Sequence, residues 1–229
     1  MSAKVVAVVS QKGGVGKSTI CTNMAVMAAD AGLRVLAVDL DDVQRTSASW
    51  LEGRRDAGIG QAPVDVVRAS APDMPRLMQA SAPQYDLILI DTKASADGPA
   101  MAAVRHAGLV LMPTRPDAIF DLTACRATIE MTQAEGKPAA VVFSLVSPRR
   151  LELADETRQG LEGQGVTVCP HQLADRAAVK DSAGFGLALH EHAPKDRATK
   201  EMTALFQWVA QQVGLQVAAP ITKARKAAA

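Results

Sequence analysis

Aromatic residues make up only 3% of this 229-residue chain. A core resting on packed rings is therefore excluded, and the 48% of hydrophobic residues must build it from Ala, Val, Leu, Ile and Met. Cysteine is almost as scarce. Cys21, Cys125 and Cys169 lie far apart with no C-x-x-C pair, which excludes a disulfide framework or a cysteine metal cluster and fits a reducing cytoplasm. Long apolar runs are missing too. The longest stretch is about half a dozen residues, where a membrane span needs roughly 18. The first residues lead directly into a strand pattern rather than the layout of a signal peptide, so the expected location is cytoplasmic. There is no excess of one charge. The formal net charge is +1, so no global field draws the protein to nucleic acid or membrane, and any such contact must come from a local patch. No internal repeat is visible. The length suits one large α/β domain or two small ones.

What is present is concentrated between Ser10 and Thr19, which read S-Q-K-G-G-V-G-K-S-T. The β-branched run Val5–Val9 precedes this stretch and an Ala- and Met-rich segment follows it. Strand, glycine loop and helix form the setting a phosphate-binding loop requires. Gly13, Gly14 and Gly16 carry no Cβ, so backbone can approach a phosphate closely. The amides from Gly13 through Val15 to Ser18 are expected to form an anion nest. A helix beginning near Lys17 adds the positive end of its dipole. The Lys17 ammonium is expected at the β- and γ-phosphates, with the Ser18 hydroxyl on Mg²⁺. Gly16-Lys17-Ser18 match the end of the general pattern G-x-x-x-x-G-K-[ST], but its first position falls on Gln11. Lys12 stands one place ahead of Gly13.

K-G-G-V-G-K-S-T resembles the deviant phosphate loop of the ParA/MinD family of dimeric ATPases. The resemblance implies a mostly parallel, twisted sheet of about seven strands with helices on both faces. It implies ATP and Mg²⁺ as cofactors, held by Lys12, Gly13, Gly14, Val15, Gly16, Lys17, Ser18 and Thr19. It also implies that Lys12 crosses a dimer interface to the partner's nucleotide, so Lys12 and Lys17 are both expected to serve catalysis. The strand Arg34–Asp39 ends on an acid. Asp39-Leu40-Asp41 resembles the family's D-x-D, in which the first acid lies near the metal and the second positions the attacking water. The usual continuation is Pro-Gln, whereas here it is Asp42-Val43-Gln44, with one extra residue. Asp41 is favoured for the water-positioning role, and Asp42 reads as a carboxylate at a helix N-terminus. Tyr85–Thr92 carries four apolar residues ending in Asp91, the Walker B pattern, which makes Asp91 a third metal residue beside Ser18 and Asp39. Lys93 follows where the family has other residues, and it reads as a surface lysine without a catalytic role.

Further helices are expected over Thr46–Asp56, from Pro72 to about Ala80, over 98–106, Ala124–Glu135, Ser147–Gly163 and Thr199–Val213, with strands at Val64–Val67, 109–113, 139–146 and 165–169. Leu205, Phe206, Trp208, Val209 and Val213 form the docking face of the last helix. The 113–122 segment is a loose match to the family's dimer face, or equally a proline loop before a helix capped by Asp121. Ser144 stands where many relatives read adenine with Asn. The Asn-Lys-x-Asp base reader of GTP switch proteins is absent. The domain is expected to run from 1 to 215, followed by a flexible basic tail over 216–229.

Arg176, Lys180, Lys195, Arg197 and Lys200 outnumber the acids within 176–200 and are the best candidates for sequence-independent DNA contacts. The leading reading is a short ParA-like ATPase that pairs on ATP, binds DNA and is stimulated by a ParB-like or cargo-adaptor partner. A membrane-associated MinD-like switch, a ligase of the dethiobiotin-synthetase type and a VirC-type accessory factor in conjugative transfer stay open. The tail lacks the basic amphipathic helix of the membrane-binding branch, so no membrane contact is expected.

Overall fold

Val6, Ala7 and Val8 of β1 (Lys4–Val8) are apolar and fully buried, as a strand flanked on both edges and covered on both faces must be. The computed structural model of the protein describes residues 2–60, 63–95, 98–117 and 119–217. The sheet has six strands, all parallel: β2 (Val35–Asp39), β3 (Asp65–Arg68), β4 (Leu87–Asp91), β5 (Leu109–Thr114) and β6 (Ala139–Phe143) join β1 in the order β3-β2-β4-β1-β5-β6.

The helices α1 (Lys17–Asp30), α2 (Thr46–Asp56), α3 (Met74–Ser81), α4 (Gly98–His106), α5 (Ile119–Ala134), α6 (Leu151–Glu162), α7 (Ala177–Gly184), α8 (Leu189–His192) and α9 (Arg197–Gln212) cover the sheet. Strand periodicity divides the core in two. Val6, Val8, Leu87, Leu89, Leu109 and Leu111 pack against α1 and α9. Ala7, Ile88, Ile90, Val110 and Met112 point the other way, against α3, α4 and α5. Helix α1 is buried along almost its whole length, because it lies between the sheet, α2 and α9. On α9, Leu205, Phe206 and Val209 are buried, with Trp208 and Val213 packed beside them, so the expected docking face is the one used. Each fully buried side chain of this size contributes about 1.5–3 kcal/mol.

The sheet has one strand fewer than expected. Residues 165–169 make a single parallel bridge, Val141 to Val168. The Cys169 carbonyl accepts from the Arg158 guanidinium instead of from a strand partner, and Pro170 has no amide with which to continue a ladder. The other expected elements fall within a few residues of their places, apart from α5, which begins several residues before Ala124 at Ile119, while α7 and α8 have no counterpart among the expected helices. Asp121 therefore lies past the start of α5 rather than at a cap, and its side chain falls outside the described residues. So does the tail from residue 218. Among the described residues no helix is long and apolar enough to cross a membrane.

The chain leaves β1 toward β2 and β3 on one side, and reaches β5 and β6 on the other. The carboxyl end of β1 thus lies where the winding reverses, the place where ligands bind in open parallel sheets.

Candidate active site

The loop after β1 is shaped by two left-handed glycines, Gly14 at φ 73° and Gly16 at φ 86°. A side chain at either position would strain the backbone. Gly16 is also the N-cap of α1 and gives that helix no side-chain cap, so its first amides are available to an anion. The Lys17 side chain folds back, and Nζ donates to the Lys12 carbonyl at 3.2 Å. Burial lowers the Lys17 pKa from its ordinary value, while Asp91 and Asp41 oppose the shift. A cavity of about 400 Å³ opens over the loop, lined by Gly13–Gly14, Gly16–Thr19, Asp41, Val43, Gln44, Thr46 and Thr92–Ala94. Lys12 is half-buried and is not part of that lining.

The register of β2 on β4 places Asp39 directly beside Asp91. The two carboxylates do different work. Both Asp39 oxygens are engaged: Oδ1 accepts from the Asp41 amide at 2.9 Å, and Oδ2 from the Ser47 hydroxyl at 3.0 Å and the Ala48 amide at 2.9 Å. Asp39 thereby satisfies the first turn of α2, a task sequence reasoning gave to Asp42 and which the N-cap, Arg45, does not perform. With two bonds on Oδ2 and one on Oδ1, Asp39 is the more fully satisfied of the two carboxylates, and its Oδ1 retains a lone pair for a cation. Asp91 is the opposite case. It is buried, and its Oδ1 has no hydrogen-bond partner among the described residues. Burial pushes its pKa up to about 6 and the Asp39 charge adds to this, while the hydroxyls of Ser18 and Ser47 and the Lys17 ammonium hold it back.

An orphaned buried carboxylate oxygen beside a serine hydroxyl is an all-oxygen donor set, and it fits a hard divalent cation such as Mg²⁺. A bound Mg²⁺ would supply charge neutralisation for phosphate oxygens, with Ser18 and Asp91 holding it. Because protons compete for Asp91, Mg²⁺ dependence of nucleotide binding is expected to weaken as pH falls through about 6. The sign follows from the raised carboxylate pKa: the anion that attracts the cation is complete only above that pH. Titrating Mg²⁺ at pH 5 and pH 7.5 checks this, and equal affinities count against Asp91 as a metal residue.

Asp41 lines the cavity, and its Oδ1 accepts from the Val43 amide at 3.1 Å and the Gln44 amide at 2.8 Å, closing a local turn. Asp42 points away from the helix terminus. Its side chain is 70% exposed and pairs with Lys93 at 3.6 Å. Lys93 is no ordinary surface lysine: it is 28% exposed and lines the phosphate cavity.

A second cavity of about 290 Å³ continues from Gly14, Gly16 and Thr19 toward Leu145, Leu173, Asp175, Arg176 and Val179. Ser144 is part of that lining. Its buried hydroxyl donates to the Val15 carbonyl at 2.7 Å and ties the end of β6 to the phosphate loop. Leu145 follows with φ 53°, and Arg45 in the loop after β2 has φ 51°. Among the described residues these are the non-glycine residues with positive φ, and both flank the cavities, where strain is held in place by surrounding structure. Asn23 also escaped sequence reasoning. It donates to the Thr19 carbonyl at 2.9 Å and accepts from the Leu189 amide at 2.8 Å, coupling α1 to α8. A polar residue inside an Ala- and Met-rich helical segment was its one visible signal.

The five basic residues considered for DNA separate into two groups. Arg176 makes a paired contact with Glu201, its Nε lying 3.1 and 3.2 Å from the two carboxylate oxygens, and it lines the second cavity. Lys180 pairs with Asp175 at 3.5 Å. Lys195, Arg197 and Lys200 are exposed at the start of α9.

Three comparisons bear on this arrangement. The profile of the family described as the CobQ/CobB/MinD/ParA nucleotide binding domain matches residues 6–189. The chain is 32% identical over 213 residues to a maintenance of carboxysome distribution protein A of Gloeobacter kilaueensis, covering 92% of this chain and 94% of that one. It is 29% identical over 225 residues to the chromosome-partitioning ATPase Soj of Thermus thermophilus, covering 82% and 88%. Among solved structures, the septum site-determining protein MinD of Pyrococcus horikoshii, complexed with Mg-ADP, superimposes with a TM-score of 0.75 at 20% identity, over 93% of this chain and 98% of the other. At that identity the likeness concerns the fold.

Proposed function

The chain belongs to the CobQ/CobB/MinD/ParA nucleotide-binding family, as a ParA-like ATPase using ATP and Mg²⁺, and we propose that it pairs on ATP, binds DNA without sequence preference and positions a cargo by partner-stimulated hydrolysis. The observation that carries this reading is Lys12. It immediately precedes the loop glycines, yet it stands outside the lining of its own phosphate cavity while its carbonyl anchors Lys17. Its position ahead of the glycines and outside that lining supports a role at a second subunit's nucleotide rather than its own.

Within one subunit the roles divide by position. The amides of Gly13–Thr19 hold the β- and γ-phosphates, with Lys17 as the buried cation between them. Ser18 and Asp91 hold Mg²⁺, with Asp39 acting beside them to order the loop after β2. Asp41 orients the attacking water at the cavity mouth. The second cavity receives the nucleoside, with Leu145 and Leu173 offering apolar contact and Asp175 a hydrogen-bond acceptor. A ParB-like or cargo-adaptor protein would supply the stimulus for turnover. The relatives' names point to carboxysomes and chromosomes as kinds of cargo, and the working location is the cytoplasm, on the nucleoid.

DNA contact is assigned to Lys195, Arg197 and Lys200, exposed where α9 begins, with the exposed Lys180 beside them and Arg176 held back by Glu201. With ATP bound, Arg197→Glu combined with Lys200→Glu is expected to weaken DNA retention and to lower the slope of log affinity against log salt by about 2, one for each lost phosphate contact. Filter binding at three salt concentrations reads both quantities. An unchanged slope removes this surface from the proposal.

A further inference from the structure

Asp39 and Asp91 are partners in register, and the Leu40 amide still donates to the Asp91 carbonyl at 2.9 Å. The loops after β2 and β4 therefore leave the sheet side by side. Two residues beyond Asp91 comes Lys93, and three beyond Asp39 comes Asp42. Their ion pair spans the two loops at 3.6 Å. Ala94 continues the second loop over Gly13, at 3.9 Å from where a Cβ on that glycine would lie. Lys93 is thus a cation in the wall of the phosphate cavity whose neighbour on the solvent side is a carboxylate. The same loop carries the strained Arg45 and Val43, which is 81% exposed.

The pair is open to exchange. Its distance is long and its acid is mostly exposed, so solvent screens it and it holds Lys93 only weakly. A terminal phosphate offers more negative charge and several acceptor oxygens, in a less solvated place, than one exposed carboxylate does. A diphosphate lacks that group. We infer that Lys93 is a γ-phosphate sensor: it rests on Asp42 when no γ-phosphate is present and transfers to a γ-phosphate oxygen when ATP binds, releasing the Asp42–Arg45 loop and its exposed Val43. The inference rests on ATP occupying the phosphate cavity. It adds to that reading a residue that distinguishes ATP from ADP within one subunit, separate from the role given to Lys12 between subunits.

The test measures affinities for Mg·ATPγS and Mg·ADP in wild type, Lys93→Gln, Lys93→Arg, Asp42→Asn and the double variant Lys93→Gln/Asp42→Asn. Lys93→Gln is expected to lose about 10-fold in ATPγS affinity with ADP affinity unchanged, the size of one charge-assisted contact. Lys93→Arg retains the preference. Asp42→Asn gains ATPγS affinity by removing the competing carboxylate, and that gain vanishes in the double variant because Asp42 acts through Lys93. Equal losses for the two nucleotides, no loss for either, or an Asp42→Asn gain that survives without Lys93 each overturn the sensor. If wild type binds neither nucleotide, the reading of the cavity falls and the sensor falls with it. If wild type binds both and only the ratio fails to move, the sensor alone is wrong.

Discussion

Lys17→Ala is expected to abolish nucleotide binding, with calorimetric affinity for ATPγS falling by at least about 100-fold. The size follows from where the ammonium sits. Lys17 is 8% exposed, and a charged contact in such a place is screened far less than one in water. Its loss removes the phosphates' cation and also leaves the Lys12 carbonyl without its 3.2 Å donor. It further removes a positive charge that helps Asp91 stay ionised against burial. The fold is expected to survive, since α1 is held by apolar packing against the sheet and α9 rather than by this side chain. Retained nucleotide affinity in a folded Lys17→Ala protein would refute the assignment of the loop.

Lys12→Ala carries the second large effect and separates two functions that Lys17→Ala removes together. Nucleotide affinity in the monomer is expected to change by less than about threefold, because the Lys12 backbone carbonyl, which Lys17 uses, is untouched. ATP-dependent pairing and turnover are expected to fall to background. Light scattering with ATPγS measures the first and phosphate release the second. A Lys12→Ala protein that pairs and hydrolyses normally removes the cross-subunit lysine from the mechanism. Together with Lys93→Gln, the three variants form a graded set: Lys17→Ala loses all nucleotides, Lys93→Gln loses the distinction between two of them, and Lys12→Ala keeps binding but loses its consequence.

Several assignments within the site turned on contacts that no spacing rule reaches. Asp39, Asp41 and Asp42 are near neighbours with the same side chain, and sequence reasoning ranked them by resemblance. Their roles separate because Ser47 and Ala48 return to Asp39 through the first turn of α2, Val43 and Gln44 close onto Asp41, and Lys93 arrives from another strand to meet Asp42. Ser144 stands where relatives have Asn, and only the structure shows its hydroxyl tied to the Val15 carbonyl of the loop. Arg176 counted as a DNA cation until Glu201 of α9 claimed its guanidinium.

From the residues alone came the glycine loop, the lysines around it, the buried parallel strands and the acids at their ends. Each depends on the conformational freedom of glycine, the need to bury β-branched runs and the side-chain period of a strand, all of which act within a few residues. The tertiary structure decided which acid caps a helix and which is left with a bare oxygen, which cation lies buried at the glycine loop and which is already paired with a carboxylate. Those outcomes follow from the register of β2 on β4 and the docking of α9, which bring together groups tens of residues apart. The charge state and hydrogen-bond partners of a buried group are set by such neighbours, whatever their distance along the chain.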